Sequence, residues 1–215
     1  MSSREDILGR IRTQLRRTDS NAASGRNALD AYLRARPQGP RPKNGGDVVA
    51  RFRAKSEQLS STVEEVSAAN EVPQAVARYL AAHHLPTQAV CWPTLAGLPW
   101  GPSGIQVIAR PATGSDLVGI TGCFCALAET GTLMLCSGPD TPAATSLLPE
   151  THIAVVSAGR ILIGMEDAWN LARAELGEMP RAVNFISGPS RTGDIEQTIV
   201  LGAHGPYRVH ILIVR

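Results

Sequence analysis

Three Gly-rich loops in the second half of the chain gather the residue types that can do chemistry on a small anion: Glu129-Thr130-Gly131-Thr132, Ser187 to Glu196, and Gly202 to Pro206. Each follows an apolar run, so each is expected at a strand end, where open α/β sheets bind ligands. Glycine there admits positive φ and lets a ligand approach the backbone closely. In the first loop Glu129 stands at the mouth of two apolar strands. A desolvated carboxylate in that position could act as nucleophile or general base. The alternative is a plain turn, with Glu129, Thr130 and Thr132 satisfying backbone groups around Gly131. In the second loop Gly188, Pro189, Ser190, Arg191, Thr192, Gly193 and Asp194 offer a guanidinium, hydroxyls and Gly-flanked N–H groups, an array that could clamp a phosphate or carboxylate. Asp194 and Glu196 could instead hold Arg191 in a self-stapled surface loop. In the third, His204 lies between Gly202 and Gly205 and could be a general acid/base or a ligand donor, with a structural histidine as the alternative.

Absences narrow the chemistry further. Lys43 and Lys55 are the only lysines, so residues 56–215 hold no Schiff-base lysine and no P-loop. Neither the G-x-G-x-x-G of a dinucleotide site nor the G-x-S-x-G of a nucleophile elbow occurs. Cys91, Cys123, Cys125 and Cys136 sit in apolar segments with no C-x-x-C spacing. They are expected as buried thiols, not as ligands to a metal or an iron–sulfur cluster. Cys123 and Cys125 flank Phe124 and are expected on one face of a strand. His152 opens a strand as a packing residue, and the pair His83-His84 closes a helix. No two histidines have metal-ligand spacing, so no metal site is expected.

The elements that must position these loops follow from periodicity. Helical patterns run from Val48 to Leu59, Val72 to His84 and Met165 to Glu175. Strands are expected at Thr62–Val66, Gln88–Trp92, Ile105–Ala109, Phe124–Ala128, Thr132–Cys136, His152–Val156, Val183–Ile186, Thr198–Leu201 and Val209–Val214. Strands alternating with helices, with one hairpin at Glu129-Thr130-Gly131, predict an α/β fold: a mixed, mostly parallel central sheet flanked by helices. Ahead of it, residues 1–18 read as a helix with a Ser2-x-x-Glu5 capping box and an apolar stripe of Ile7, Leu8, Ile11 and Leu15. Residues 19–46, rich in Gly, Pro, Asn and Arg, read as an extended linker, and 47–215 as the α/β domain.

Charge is divided along the chain. Residues 1–55 carry 13 Lys/Arg against 5 Asp/Glu, and the rest carries 8 against 14. A basic arm of this kind suits an acidic partner or the protein's own acidic body; few aromatics interleave the basic residues, which weighs against nucleic acid. No apolar run approaches the roughly 20 residues of a membrane span, and Met1-Ser-Ser-Arg-Glu-Asp lacks the apolar core of a signal peptide, so a cytoplasmic protein is expected.

Taken in order, Ala-Glu-Thr-Gly-Thr (128–132), Ser-Leu-Leu-Pro-Glu-Thr-His-Ile-Ala-Val-Val (146–156), Gly-Pro-Ser-Arg-Thr-Gly-Asp-Ile-Glu (188–196) and Gly-Ala-His-Gly-Pro (202–206) resemble the LUD-domain family, specifically its LutC/YkgG, or lactate utilisation protein C, type. The resemblance covers roughly residues 45–215. It implies a fold like that of the NagB/RpiA/CoA-transferase group and an accessory role in oxidising L-lactate to pyruvate. It also implies two partner proteins that carry iron–sulfur clusters, with no cofactor bound by this chain. On that reading Arg191 clamps a small carboxylate, N–H groups of the Ser187–Gly193 loop add donors, and Glu129 or His204 handles a proton. One departure stands out: many relatives carry a Gly-Arg pair where this chain reads Pro142-Ala143-Ala144-Thr145, and losing that Arg could weaken anion binding unless Arg191 suffices. Two other readings stay open, a free-standing enzyme like a CoA transferase or sugar-phosphate isomerase using Glu129, and an anion-sensing scaffold. The oligomeric state, a homo-oligomer included, is open too.

Overall fold

Val- and Ile-rich runs form strands and the Ala-, Leu- and Arg-rich stretches between them form helices, in the alternating order that builds a parallel sheet. The structure, a computed structural model, describes residues 3–16, 18–42, 45–194 and 197–215. Two compact units divide the chain, Met1–Lys43 and Asn44–Arg215.

The first unit contains α1 (Ser3–Gln14) and α2 (Asp19–Ala35). Glu5 and Asp6 in the first turn of α1 and Arg12 in its last complement the helix dipole. Ser2, the expected cap, lies outside the described residues. The extended linker expected over 19–46 is corrected by α2, which occupies 17 of those residues. Ala22, Ala23, Ala28, Ala31 and Ala35 supply its helix propensity. It ends where Arg36 turns to φ 43° ahead of Pro37. Ile7, Ile11, Leu29, Tyr32 and Leu33 all stay exposed in this unit.

The second unit begins with α3 (Val48–Gln58), capped by the Asp47 carboxylate, which accepts from the N–H groups of Val49 and Ala50 at 2.9 and 3.2 Å. There follow β1 (Thr62–Val66), α4 (Val72–Ala82), β2 (Gln88–Cys91), β3 (Gln106–Ala109), β4 (Val118–Thr121), β5 (Cys125–Leu127) and β6 (Thr132–Cys136). The chain continues through α5 (Ala144–Leu147), β7 (Thr151–Ser157), β8 (Ile161–Leu162), α6 (Met165–Glu175) and β9 (Val183–Ile186). It closes with β10 (Arg191–Thr192), β11 (Val200–Leu201) and β12 (Arg208–Val214).

The main sheet has six parallel strands in the order β1-β12-β7-β4-β2-β3. The mixed character expected from the hairpin resides in a second sheet, β8-β5-β6-β9, in which β6 is antiparallel to both neighbours. β10 and β11 form a short antiparallel ribbon. The layers stack α4, main sheet, second sheet, α6. Val76 and Leu80 of α4 pack on Ile120, Ile153 and Leu212. Phe52 of α3 joins Leu133, Leu135, Val156, Ile211 and Ile213 between the sheets. Leu127 and Met134 pack outward on Ala168 and Ala172 of α6. Cys125 belongs to this outer layer, whereas Cys123 precedes the strand and packs between the sheets. The single shared face expected for the two thiols is therefore corrected: regular alternation begins only at Cys125. No helix among the described residues is long and apolar enough to cross a membrane.

Candidate functional site

The loops follow strands, yet two of them gather at the N-terminal edge of the main sheet. The Ser190 N–H donates to the Pro206 carbonyl at 2.9 Å and the Gly202 N–H to the Ser190 carbonyl at 3.0 Å, joining the second and third loops. The third loop then runs into β12, where the Arg208 N–H donates to the carbonyl of Glu150 at 3.0 Å, just ahead of β7.

The first loop is tied to the second by hydroxyls. Thr130 Oγ1 donates to Thr132 Oγ1 at 2.8 Å, and Thr132 Oγ1 lies 2.6 Å from Ser187 Oγ. Both loops are pressed against the end of α3. At Gly131, with φ 67°, an added Cβ would lie 2.5 Å from the Ser56 nitrogen; at Gly188, with φ 81°, it would lie 2.2 Å from the Leu59 carbonyl oxygen. The close approach these glycines permit is therefore made by the chain's own helix. Ser56 Oγ closes the contact by donating to the Gly131 carbonyl at 3.3 Å.

Arg191 follows the same logic. Its Nη2 donates to Ser60 Oγ at 2.5 Å and to the Leu59 carbonyl at 3.4 Å, fastening the loop to the end of α3 rather than to Asp194. Asp194 uses its N–H to reach Thr192 Oγ1 at 3.3 Å. Glu196 lies outside the described residues. Pro189 is buried and Gly193 exposed. Glu129 is half-buried; its N–H donates to the Ile163 carbonyl at 3.0 Å, while among the described residues no hydrogen bond or ion pair holds its carboxylate.

His204 is placed elsewhere, on an open cavity of about 590 Å³ whose walls include Leu147, Glu150, Gly202, Gly205, Tyr207 and Arg208. Glu129 and Arg191 do not line it. The sequence-predicted constellation thus separates into two places: a hydroxyl-linked turn beside Glu129, and a cavity with His204 at its wall. Arg208 and Glu150 were missed as site residues. Their signal was a charged residue set directly ahead of a buried strand, Arg208 before Val209 and Glu150 before Thr151. The Arg208 guanidinium stands over the Tyr207 ring, 4.9 Å from its centroid.

Two buried histidines support this edge from behind. His152 Nε2 is 2.8 Å from Thr121 Oγ1 and His210 Nδ1 is 2.8 Å from Thr62 Oγ1, with the His210 ring stacked on Tyr79 at 4.0 Å. Burial pushes both imidazoles down to about 4, so both are neutral near pH 7. His152 is a packing residue, as its position suggested. Burial pushes the Cys125 thiol up to about 12 and raises those of Cys91, Cys123 and Cys136 as well, which disfavours the thiolate form of each. Among the described residues no group of three or more His, Cys, Asp or Glu could hold a metal ion.

The family model of the LUD domain matches residues 105–214. Lactate utilization protein C of Bacillus subtilis is 39% identical over 100 residues, covering 45% of this chain and 42% of that protein. Lactate utilization protein C 1 of Bacillus mycoides is 39% identical over 118 residues, covering 54% and 50%. The matched part of the chain thus spans about half the length of these curated relatives or somewhat less. Among solved structures, a DUF162 family protein from Deinococcus radiodurans superposes with a TM-score of 0.61 at 28% identity, covering 81% of this chain and all of that one.

Proposed function

Because the chain belongs to the LUD-domain family, we propose that it serves lactate utilisation as an accessory subunit, holding a small carboxylate in the cavity beside His204. The cavity carries this reading: a guanidinium, an imidazole and the Gly202 and Gly205 backbone line one open space at a sheet edge, where Arg208 also offsets the Glu150 carboxylate on the same wall. Arg208 would pair with the carboxylate, N–H groups of the Gly-rich loop would add donors, and His204 would hold the hydroxyl proton. On this reading electron transfer falls to iron–sulfur partner proteins, and this chain binds and orients the substrate. Calorimetric titration of the full chain with L-lactate and pyruvate should give saturable binding that Arg208→Ala weakens at least tenfold. In cells lacking the gene, growth on L-lactate should fail and return with the wild-type gene but not with Arg208→Ala. No measurable binding together with unimpaired growth would sink the proposal.

One observation favours a second reading. The Glu129 carboxylate has no partner among the described residues, as a nucleophile of a CoA-transferase-like enzyme would require. Incubation with acyl-CoA followed by mass spectrometry should then show an adduct on Glu129, and its absence leaves the first reading alone.

A further inference from the structure

The opposite edge of the main sheet holds a second cavity that none of the three loops enters. After β2 the chain leaves toward β3 on one side, and after β4 it leaves for the β5–β6 hairpin and β7 on the other. The carboxyl ends of β2 and β4 therefore flank a topological switch point, the crevice where open α/β sheets take ligands. A cavity of about 490 Å³ occupies this crevice, within the range of small-molecule sites. Trp92, next after β2, forms one wall, and Gly122 and Cys123, next after β4, form another, with Phe124 and Cys136 beside them. The Trp92 indole is fixed by donation from its Nε1 to the Pro142 carbonyl at 3.2 Å.

Its charge sets the ligand class. Among the described residues the lining contains no Lys, Arg or His, and Glu178 brings one carboxylate. The cation over Phe124, Arg160, is committed: it lies 4.8 Å from the Phe124 ring and holds Glu175 through two hydrogen bonds of 2.7 and 2.9 Å. A phosphate or carboxylate would meet repulsion here, whereas a flat uncharged ring would meet aromatic and thiol surface. We propose that this crevice is a second binding site, for an uncharged planar aromatic molecule bearing a hydrogen-bond donor that faces Glu178.

Gly122 offers a clean way to close the site. Its backbone has no positive φ, and an added Cβ would meet only the Trp92 ring, at 3.5 Å, an ordinary contact. Two fluorescent probes share one scaffold: uncharged N-phenyl-1-naphthylamine, with an N–H donor, and its sulfonated relative 8-anilino-1-naphthalenesulfonate. The full chain should bind the uncharged probe saturably at one site and the sulfonate at least tenfold more weakly, with Glu178→Gln narrowing that gap. Gly122→Leu should weaken the uncharged probe at least tenfold while the melting temperature holds. Thr94→Trp, which fills the cavity from another wall, repeats the test should the first variant lose its fold. Non-saturable binding, equal affinity for both probes, or wild-type binding by a folded blocked variant overturns the proposal.

Discussion

The two edges of the six-stranded sheet solve opposite problems. Beside the N-terminal edge, at the end of α3, the glycines of the first two loops are filled from behind: the helix end occupies the space at Gly131 and Gly188, and Arg191 nails the second loop to it. At the C-terminal edge Gly122 leaves room, and Trp92 and Phe124 wall an open crevice. Glycine type alone does not separate a packing contact from a ligand contact. What separates them is whether a backbone or a void stands opposite.

Acid should separate the edges most strongly. His152 and His210 lie in the first half of β7 and β12 and are neutral in the folded state, with values lowered to about 4 from the ordinary 6.5. Below about pH 6.5 the unfolded chain takes up protons that the folded chain refuses, so stability is full above that pH and falls continuously down to about pH 4. At about 1.4 kcal/mol per pKa unit, each histidine contributes on the order of 3 kcal/mol to this loss. Denaturant melts between pH 7 and pH 4.5 should show it; His152→Asn, if it still folds, should flatten the curve. A flat profile in the wild type would show that the histidines open to solvent without unfolding.

The next effect is steric. Gly188→Ala places a methyl against the Leu59 carbonyl at positive φ and should cost about 3 kcal/mol. At about 2–4 °C per kcal/mol for a domain of this size, the melting temperature should fall by about 10 °C. Gly122→Ala, the matched change at the other edge, should move it by less than about 2 °C. Equal losses from the two variants would erase the contrast.

A smaller loss is expected from the hydroxyl relay. Thr132→Val keeps shape but removes the group between Thr130 and Ser187, and should cost about 1 kcal/mol. Calorimetric melting reads it directly. No change would mean that the first two loops are held by α3 alone.

Much of the fold was legible because periodicity carries it. The helix Met165–Glu175 and the strand Thr62–Val66 have the bounds their patterns suggest. The strand Val118–Thr121 was invisible because Gly119 interrupts it, and the reason for that glycine lies far along the chain: a Cβ there would sit 2.1 Å from the Thr145 carbonyl oxygen. The helix Asp19–Ala35 was hidden by Gly25 and its Asn residues and by the proline run beyond it. In the loops, residue types were readable and neighbours were not. Which loop meets which depends on strand order in the sheets, so the tie of Arg191 to Ser60 and the absence of Glu129 from the walls of the His204 cavity had no local signature. The family likeness named the loops without saying which of them faces a void.

Strand order also dictates when the main sheet can be completed. β1 has a single neighbour in its sheet, β12, with Thr62 opposite His210. Residues 62–66 therefore have no strand of their sheet to pair with until residues 208–214 have been made. Between the making of β7 and that of β12 the nascent chain shows an unpaired side of β7 and a solitary β1, surfaces that attract other strands. The step that completes this sheet is the insertion of β12 between two strands made before it.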